Sequence, residues 1–145
     1  MIQLREITQE NFKEILRLKV SPTQERFVAS NAISIAEAHF YPENAWYRAI
    51  YDDEAPVGFL MLDDQPQKPL YFLWRLMIGA AHQGRGYGKE ALKLLAKHVS
   101  TRPGATALFV SYVPGEGSPA LFYEKSGFVP TGDIEEGEIV AKLLL

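Results

Sequence analysis

The sequence predicts a mixed α/β sandwich of the α+β kind, a central and mostly antiparallel twisted sheet with helices on both faces. Three observations predict it. Three β-rich runs between Trp46 and Ile78 are joined by short polar loops, the pattern of an antiparallel meander. After Ile78 the pattern changes to a glycine-rich loop, an amphipathic helix and a further strand, a β-α-β unit whose two strands run parallel. Strand patterns also open and close the chain, so that runs of strands surround the single β-α-β unit.

In chain order, Ile2 to Ile7 reads as the first strand, and Phe12, Ile15, Leu16 and Lys19 then fall at helical spacing with Thr8 available as the N-cap. Ser34-Ile35-Ala36-Glu37 has the form of a capping box and places the start of a second helix, which should stop near Pro42. Trp46 to Tyr51 and Val57 to Leu62 are strands separated by the polar turn Asp52 to Pro56, and a second polar loop, Asp63 to Pro69, leads into Leu70 to Ile78. Leu92, Leu95, Ala96 and Val99 then share one helix face, Pro103-Gly104 ends that helix, and Thr106 to Tyr112 is the returning strand. Ser118-Pro119 reads as an N-cap followed by proline at the first helical position, for a helix that reaches Lys125 before Gly127. Phe128-Val129 and Ile139 to Leu145 supply the last strand or strands.

Bulk composition narrows the function. A chain of 145 residues, 47% of them hydrophobic, has the usual size of one domain, expected over 1–145. With 15 basic against 18 acidic side chains the formal charge is −3, which provides no basic field for nucleic acid or an anionic membrane and tolerates cationic small molecules. The absence of cysteine removes disulfides, thiolate metal sites and thiol nucleophiles, and His39, His82 and His98 lack ligand spacing, so no metal is expected. The N-terminal residues lack a secretory pattern, and Leu70 to Ile78, interrupted by Arg75, falls far short of the ~20 apolar residues that span a bilayer. A cytoplasmic enzyme or binding protein is the expectation.

Gln83-Gly84-Arg85-Gly86-Tyr87-Gly88-Lys89 is the most informative segment. Alternate glycines let main chain approach an anion closely, and the helix that follows aims its free amides and positive dipole end at the same point, so a phosphate is the natural occupant. Spacing separates the kinds of phosphate loop. The dinucleotide pattern G-x-G-x-x-G fails because its third glycine falls at Gly88, and the triphosphate pattern fails because Gln83 and Glu90 stand where a glycine and a hydroxyl belong. Q-x-x-G-x-G fits, through Gln83, Gly86 and Gly88.

Two segments now carry a resemblance over essentially the whole chain. Leu76-Met77-Ile78 followed by Gln83 to Lys89, and Ala120-Leu121-Phe122-Tyr123-Glu124-Lys125-Ser126-Gly127-Phe128, are similar to motifs of the GNAT superfamily of N-acetyltransferases. The resemblance implies acetyl-CoA as cofactor, with its pyrophosphate on Gln83 to Lys89. It implies a strand before the loop that splays from its parallel neighbour and offers the main-chain groups of Leu76 and Ile78 to the pantetheine arm. It also implies Tyr123 as the acid that protonates the departing thiolate, and it leaves a homodimer open. Acyl transfer to an amine further needs a stabilised oxyanion, for which a main-chain amide between Leu76 and Ile78 is the candidate, and a base. This chain departs from the pattern there: Ser111 stands where relatives often carry glutamate, and Glu116 where they carry asparagine, which leaves Glu116 as a candidate base or amine anchor.

Lys19 to Asn31, together with Trp74 to Ile78, is similar to the bacterial spermine/spermidine acetyltransferases within that superfamily. The resemblance places the connection between the first two helices over the acceptor side of the cleft, with Glu25, Phe27, Asn31 and Trp74 as acceptor residues. A carboxylate and an aromatic face suit a flexible polycation. Acetylation of a protein or peptide amine, and an acyl-CoA-binding domain without turnover, are the alternatives.

Overall fold

Short polar turns and alternating burial bring the middle of the chain into a sheet. The computed structural model describes residues 1–145. Its elements are strand β1 (Ile2–Arg5), helices α1 (Phe12–Arg17) and α2 (Asn31–Phe40), strands β2 (Ala45–Asp52), β3 (Ala55–Gln65) and β4 (Leu70–Ile78), helix α3 (Tyr87–Ser100), strand β5 (Ala107–Tyr112), helix α4 (Ala120–Lys125), and strands β6 (Val129–Glu135) and β7 (Glu138–Leu144). One seven-stranded sheet runs in the order β1-β2-β3-β4-β5-β7-β6. Every pairing is antiparallel except β4 with β5. The mixed α/β class, the meander and the parallel pair are as the sequence predicts.

Each sheet face has its own core. Ala91, Leu92, Leu95 and Val99 of α3 bury against Leu60, Leu62, Tyr71, Leu73, Leu108 and Val110, and Tyr123 of α4 joins the same cluster. On the opposite face Ile15 of α1 and Ala38 of α2 cover Phe59, Met61 and Met77. Truncating a fully buried leucine of the α3 stripe such as Leu95 to alanine costs about 2–5 kcal/mol.

A β-bulge sets how β4 meets the two cores. Met61 faces Arg75 but Leu62 faces Leu73, so Trp74 is an extra residue in β4. Side-chain parity flips there. Tyr71 and Leu73 before it and Leu76 and Ile78 after it all pack toward α3, while Trp74 and Met77 pack toward α1 and α2. Without the bulge, Leu76 and Ile78 would face the other side. At the far edge, Pro130 faces Ala141 and Ile134 faces Ile139, so β6 carries two extra residues around Gly132, whose φ is +96°. The irregularity interrupts the free edge, which limits edge-to-edge pairing.

Several boundaries differ from the sequence expectation, for local reasons. The second helix starts one turn early: Ser30 Oγ accepts the Ile33 N–H at 3.2 Å, whereas Ser34 is buried inside the helix and Glu37 pairs with Arg75 at 2.9 Å. Thr8 is not the N-cap of α1. Its carbonyl closes a turn onto Asn11 and Phe12, so α1 starts at Phe12, and Lys19 lies beyond its end. Strand β3 continues through Gln65, into residues expected as loop, because Asp63, Asp64 and Gln65 keep pairing with β4. Pro22–Phe27 forms a 3-10 segment closed by a reciprocal Ser21–Gln24 capping box, and the sequence reading contains no such element.

Candidate active site

Strands β4 and β5 pair only at Phe72 with Phe109 and at Leu73 with Val110, then diverge. A cleft of about 1190 Å³ opens from that point, walled by the rest of β4, the glycine loop, β5, α4 and the connection between α1 and α2. The Gly79 N–H bonds back to Val57 O at 2.9 Å, which fixes the hydrogen-bonding parity of the β3–β4 ladder. By alternation, the N–H and C=O groups of Leu76 and Ile78 point away from β3, toward the side from which β5 has withdrawn. Met77 shares this wall through its main chain, its side chain being buried in the smaller core.

The glycine loop meets the same wall. Gly84 and Gly86 both have φ of +80°, and a Cβ built on either would meet nothing within 4 Å, so the loop presents open main chain. Gly86 is the N-cap of α3, a helix of 14 residues, whose first free amides therefore face the cleft mouth. Gly88 packs closely: a Cβ there would stand 3.1 Å from the Phe122 ring, which would have to shift slightly. The donor set fits a pyrophosphate, with unhindered amides at a helix start and Lys89 on the lining. Two of the predicted cofactor residues contribute differently. The Tyr87 hydroxyl donates to Asp52 Oδ2 at 2.7 Å and anchors the loop to the sheet, a bond that holds the Asp52 carboxyl below its usual range. Arg85 is exposed, does not line the cleft, and adds its charge to the field on Asp52. Gln83 Nε2 donates to Ile78 O at 2.8 Å and to Gln24 Oε1 at 2.9 Å.

Tyr123 lines the cleft from α4 although its ring is only 7% exposed. The helix starts one residue later than expected: Pro119 is its N-cap instead of its first helical residue, and Ser118 Oγ, one position earlier, accepts the Ala120 N–H at 3.0 Å, while Gly127, with φ of +100°, ends it. Between these stops Tyr123 is fixed by three rings, Phe122, Phe128 and Tyr112, at centroid distances of 5.2, 5.5 and 5.8 Å. Burial pushes its phenol well above the usual range, so the hydroxyl keeps its proton across neutral pH. Tyr112 brings a second phenol to this wall, also raised, chiefly by burial and further by Glu124.

On the opposite side the cleft is walled by side chains. Glu25, Phe27 and Trp74 line it, but the Arg26 guanidinium already covers one face of Phe27 at 4.4 Å. Asn31 does not line it: this residue is 2% exposed and donates to Ile15 O at 2.9 Å, locking α1 to α2. Ser111 lines the cleft, whereas Glu116 is exposed outside it and contributes only its carbonyl, which accepts from Arg26 Nη2 at 3.1 Å. Asp63, Phe72, Glu136 and Glu138 are lining residues that the sequence reading missed. They come from the β3 end, from β4 and from the β6–β7 turn. Only the insertion of β7 between β5 and β6 brings that turn to the cleft, and no local pattern announces such an order.

A splayed parallel pair, a Q-x-x-G-x-G loop at a helix start and a tyrosine at the cleft wall are the features in which the chain resembles the coenzyme A-dependent N-acetyltransferases. Residues 2–128 match the Acetyltransferase (GNAT) family, and the chain belongs to it. It is 26% identical over 143 residues to a spermine/spermidine N(1)-acetyltransferase of Bacillus subtilis (strain 168), covering 92% of this chain and 91% of that protein. Among solved structures, the spermidine N-acetyltransferase of Vibrio cholerae in complex with CoA and spermine superposes with a TM-score of 0.75 at 14% identity, over 99% of this chain and 94% of that one. The ribosomal-protein-S18-alanine N-acetyltransferase of Escherichia coli gives 0.71 at 16%, over 99% and 94%. The protein is thus an acetyl-CoA-dependent N-acetyltransferase, with a fold shared by enzymes named for polyamine and for protein acceptors. No helix is long and apolar enough to cross a membrane.

Proposed function

We propose that the chain acetylates a primary amine of a polyamine such as spermine or spermidine, by direct attack within a ternary complex. The observation that carries this reading is the lining of the cleft, which includes the carboxylates of Glu25, Asp63, Glu136 and Glu138 and the rings of Phe27, Phe72 and Trp74, alongside the cations Arg26, Arg75, Lys89 and Lys125. Bound acetyl-CoA supplies the acyl carbonyl and the thiolate leaving group. The amides of Gly84 to Lys89 would hold its pyrophosphate, and the edge of β4 that faces away from β3, at Leu76 and Ile78, would hold its arm. A main-chain N–H of that edge would stabilise the charge that builds on the acyl oxygen. Tyr123, kept neutral by burial, gives its hydroxyl proton to the sulfur.

The acceptor must present one neutral nitrogen, although an alkyl ammonium has a pKa of ~10.4. A polyamine meets this demand better than a monoamine does. Its distal ammoniums are held by carboxylates remote from the reacting nitrogen, which orients the chain without raising the pKa at the point of attack. Ser111 takes the place of a glutamate base, so the amine proton leaves to water or to a lining carboxylate.

A panel comparing spermine, spermidine, monoamines of similar length, amino acids and N-terminal peptides tests the reading by thiol release. We expect spermine or spermidine to give the highest kcat/KM. Peptide N-termini or lysines reacting while polyamines stay inert would instead select the protein-acetylating alternative. No thiol release with any amine of the panel would leave only the acyl-CoA-binding reading.

A further inference from the structure

We propose that Gln24 is a positioning residue, one half of an amide latch with Gln83 that carries cofactor occupancy of the glycine loop to the acceptor wall. The two side chains bond reciprocally: Gln24 Nε2 donates to Gln83 Oε1 at 3.2 Å, and Gln83 Nε2 donates to Gln24 Oε1 at 2.9 Å. Each partner is also committed to its own wall. Gln83 Nε2 places its other hydrogen on Ile78 O at 2.8 Å, at the end of β4. Gln24 Oε1 accepts the Ser21 N–H at 3.2 Å, closing the cap of the 3-10 segment Pro22–Phe27. Just below, Ala80 N–H donates to Lys19 O at 2.8 Å, so the bases of the two loops are joined as well.

The other end of the 3-10 segment is tied across the cleft. Arg26 Nη2 donates to Glu116 O at 3.1 Å, and a Cβ on Gly117 would stand 3.6 Å from the Phe27 ring. Glu25 therefore sits between two residues, each pinned to a different lip: Gln24 to the glycine loop and Arg26 to the turn after β5. Both glutamine side chains reach solvent, so water competes for the reciprocal bonds. A pyrophosphate held by the loop amides would fix the backbone that carries Gln83. It thereby shifts the balance toward the closed latch and orders Glu25 and Phe27. The effect is reciprocal by linkage: an amine that orders the segment raises cofactor affinity by the same factor.

Hydrogen exchange on the full chain, with and without coenzyme A, tests this without requiring any acceptor. In the wild type, coenzyme A is expected to slow exchange both in Gly84–Lys89 and, by about five- to tenfold, in Gln24–Phe27. Gln83→Ala, which removes a side chain of the predicted cofactor site, is compared at coenzyme A concentrations that saturate it, and there it should bring the second effect to within about twofold of the free protein. Gln24→Ala should do the same, and the double variant should lose no more than either single one. If Gln24→Ala loosens the segment even without cofactor, Gln83→Ala decides, because Gln83 takes no part in the Ser21 cap. Were Gln83→Ala not to bind coenzyme A, Gln24→Ala decides, since Gln24 lies outside the loop. Cofactor-induced protection of Gln24–Phe27 that persists in the deciding variant, or that is missing in the wild type, overturns the proposal.

One further arm rests on the polyamine reading. At saturating acetyl-CoA, Gln24→Ala should raise the spermidine KM about fivefold with kcat within about twofold. Spermidine that does not react refutes the acceptor reading alone, and the exchange result still decides the latch.

Discussion

The cofactor lip of the cleft is built from main chain in one continuous stretch, Leu76 to Lys89, whereas the acceptor lip is built from side chains of three separated segments. The first consists of amides and carbonyls held by a strand edge and a helix start, and its shape depends on backbone conformation at a few glycines. The second consists of Glu25, Asp63, Glu136 and Glu138, whose juxtaposition depends on the whole sheet order. A main-chain site tolerates drift in neighbouring side chains and serves one ligand. A side-chain site can be rebuilt one residue at a time, so related folds can serve different acceptors.

The largest expected effect lies where the two lips meet, at Tyr123. Tyr123→Phe should lower turnover by ~10²–10⁴ with coenzyme A affinity nearly intact, the signature of a lost general acid. Tyr112→Phe is the control, since Tyr112 stacks parallel to Tyr123 at 5.8 Å and brings the only other raised phenol to the wall. Steady-state rates of the two variants decide which phenol delivers the proton. Near-normal turnover of Tyr123→Phe would reassign that ring to packing.

The next effect tests the cofactor lip alone. Gly86→Val puts a β-branched residue at φ of +80°, at the N-cap of α3. The cost of such backbone strain, about 1–3 kcal/mol, corresponds to roughly 10- to 10²-fold in coenzyme A affinity if the loop gives way. Calorimetry on variant protein whose circular dichroism is unchanged measures it. Unaltered affinity would remove the glycine loop from the site.

The same contrast explains what could be read from sequence. The glycine loop, the Ala120–Phe128 segment and the β4–α3–β5 unit are local patterns, because each chemical demand there acts on adjacent residues. The bulge at Trp74 is not, since it is visible only as a slip against β3. Nor is the burial of Asn31: its side chain satisfies the last turn of α1 at Ile15, a contact across 16 positions, and it was expected in the acceptor pocket on segment similarity alone. Glu136 and Glu138 read as an ordinary turn until β7 is known to insert beside β5.

The acceptor lip should respond weakly and mainly through KM. Glu25 is exposed and takes part in none of the ion pairs of the fold, leaving its carboxylate free for an ammonium. Glu25→Gln should raise the spermidine KM by ~2–5-fold with little change in kcat, the scale of one exposed charge pair. Added salt should erode the preference for polyamines over monoamines, because exposed charges are screened over about 8 Å at physiological ionic strength. A fall in kcat with unchanged KM would mean that Glu25 acts on the reacting nitrogen instead.

The smallest effect separates both lips from the scaffold that holds them. His98 of α3 stacks on Trp46 at 4.1 Å, and the Arg48 guanidinium lies 4.2 Å from the same ring. His98 Nε2 is buried with no hydrogen-bond partner. Burial is the main cause that lowers the imidazole pKa below 6.5; Arg102 and Arg48 add to it, and Asp64 opposes it. A depressed histidine pKa in the folded state means that the unfolded chain takes up the proton first as pH falls. Stability is therefore full above about pH 6.5, declines as pH drops below that value, and levels off once the folded form also protonates. His98→Phe keeps a stacking ring and removes the titration, so its melting temperature should vary less than the wild type's between pH 7 and 5.5, by about 1–2 °C. Thermal melts across that window measure the difference. Equal pH dependence in the two proteins would show that His98 protonates freely, and an acid limb in the rate profile would then have to be sought among the groups lining the cleft.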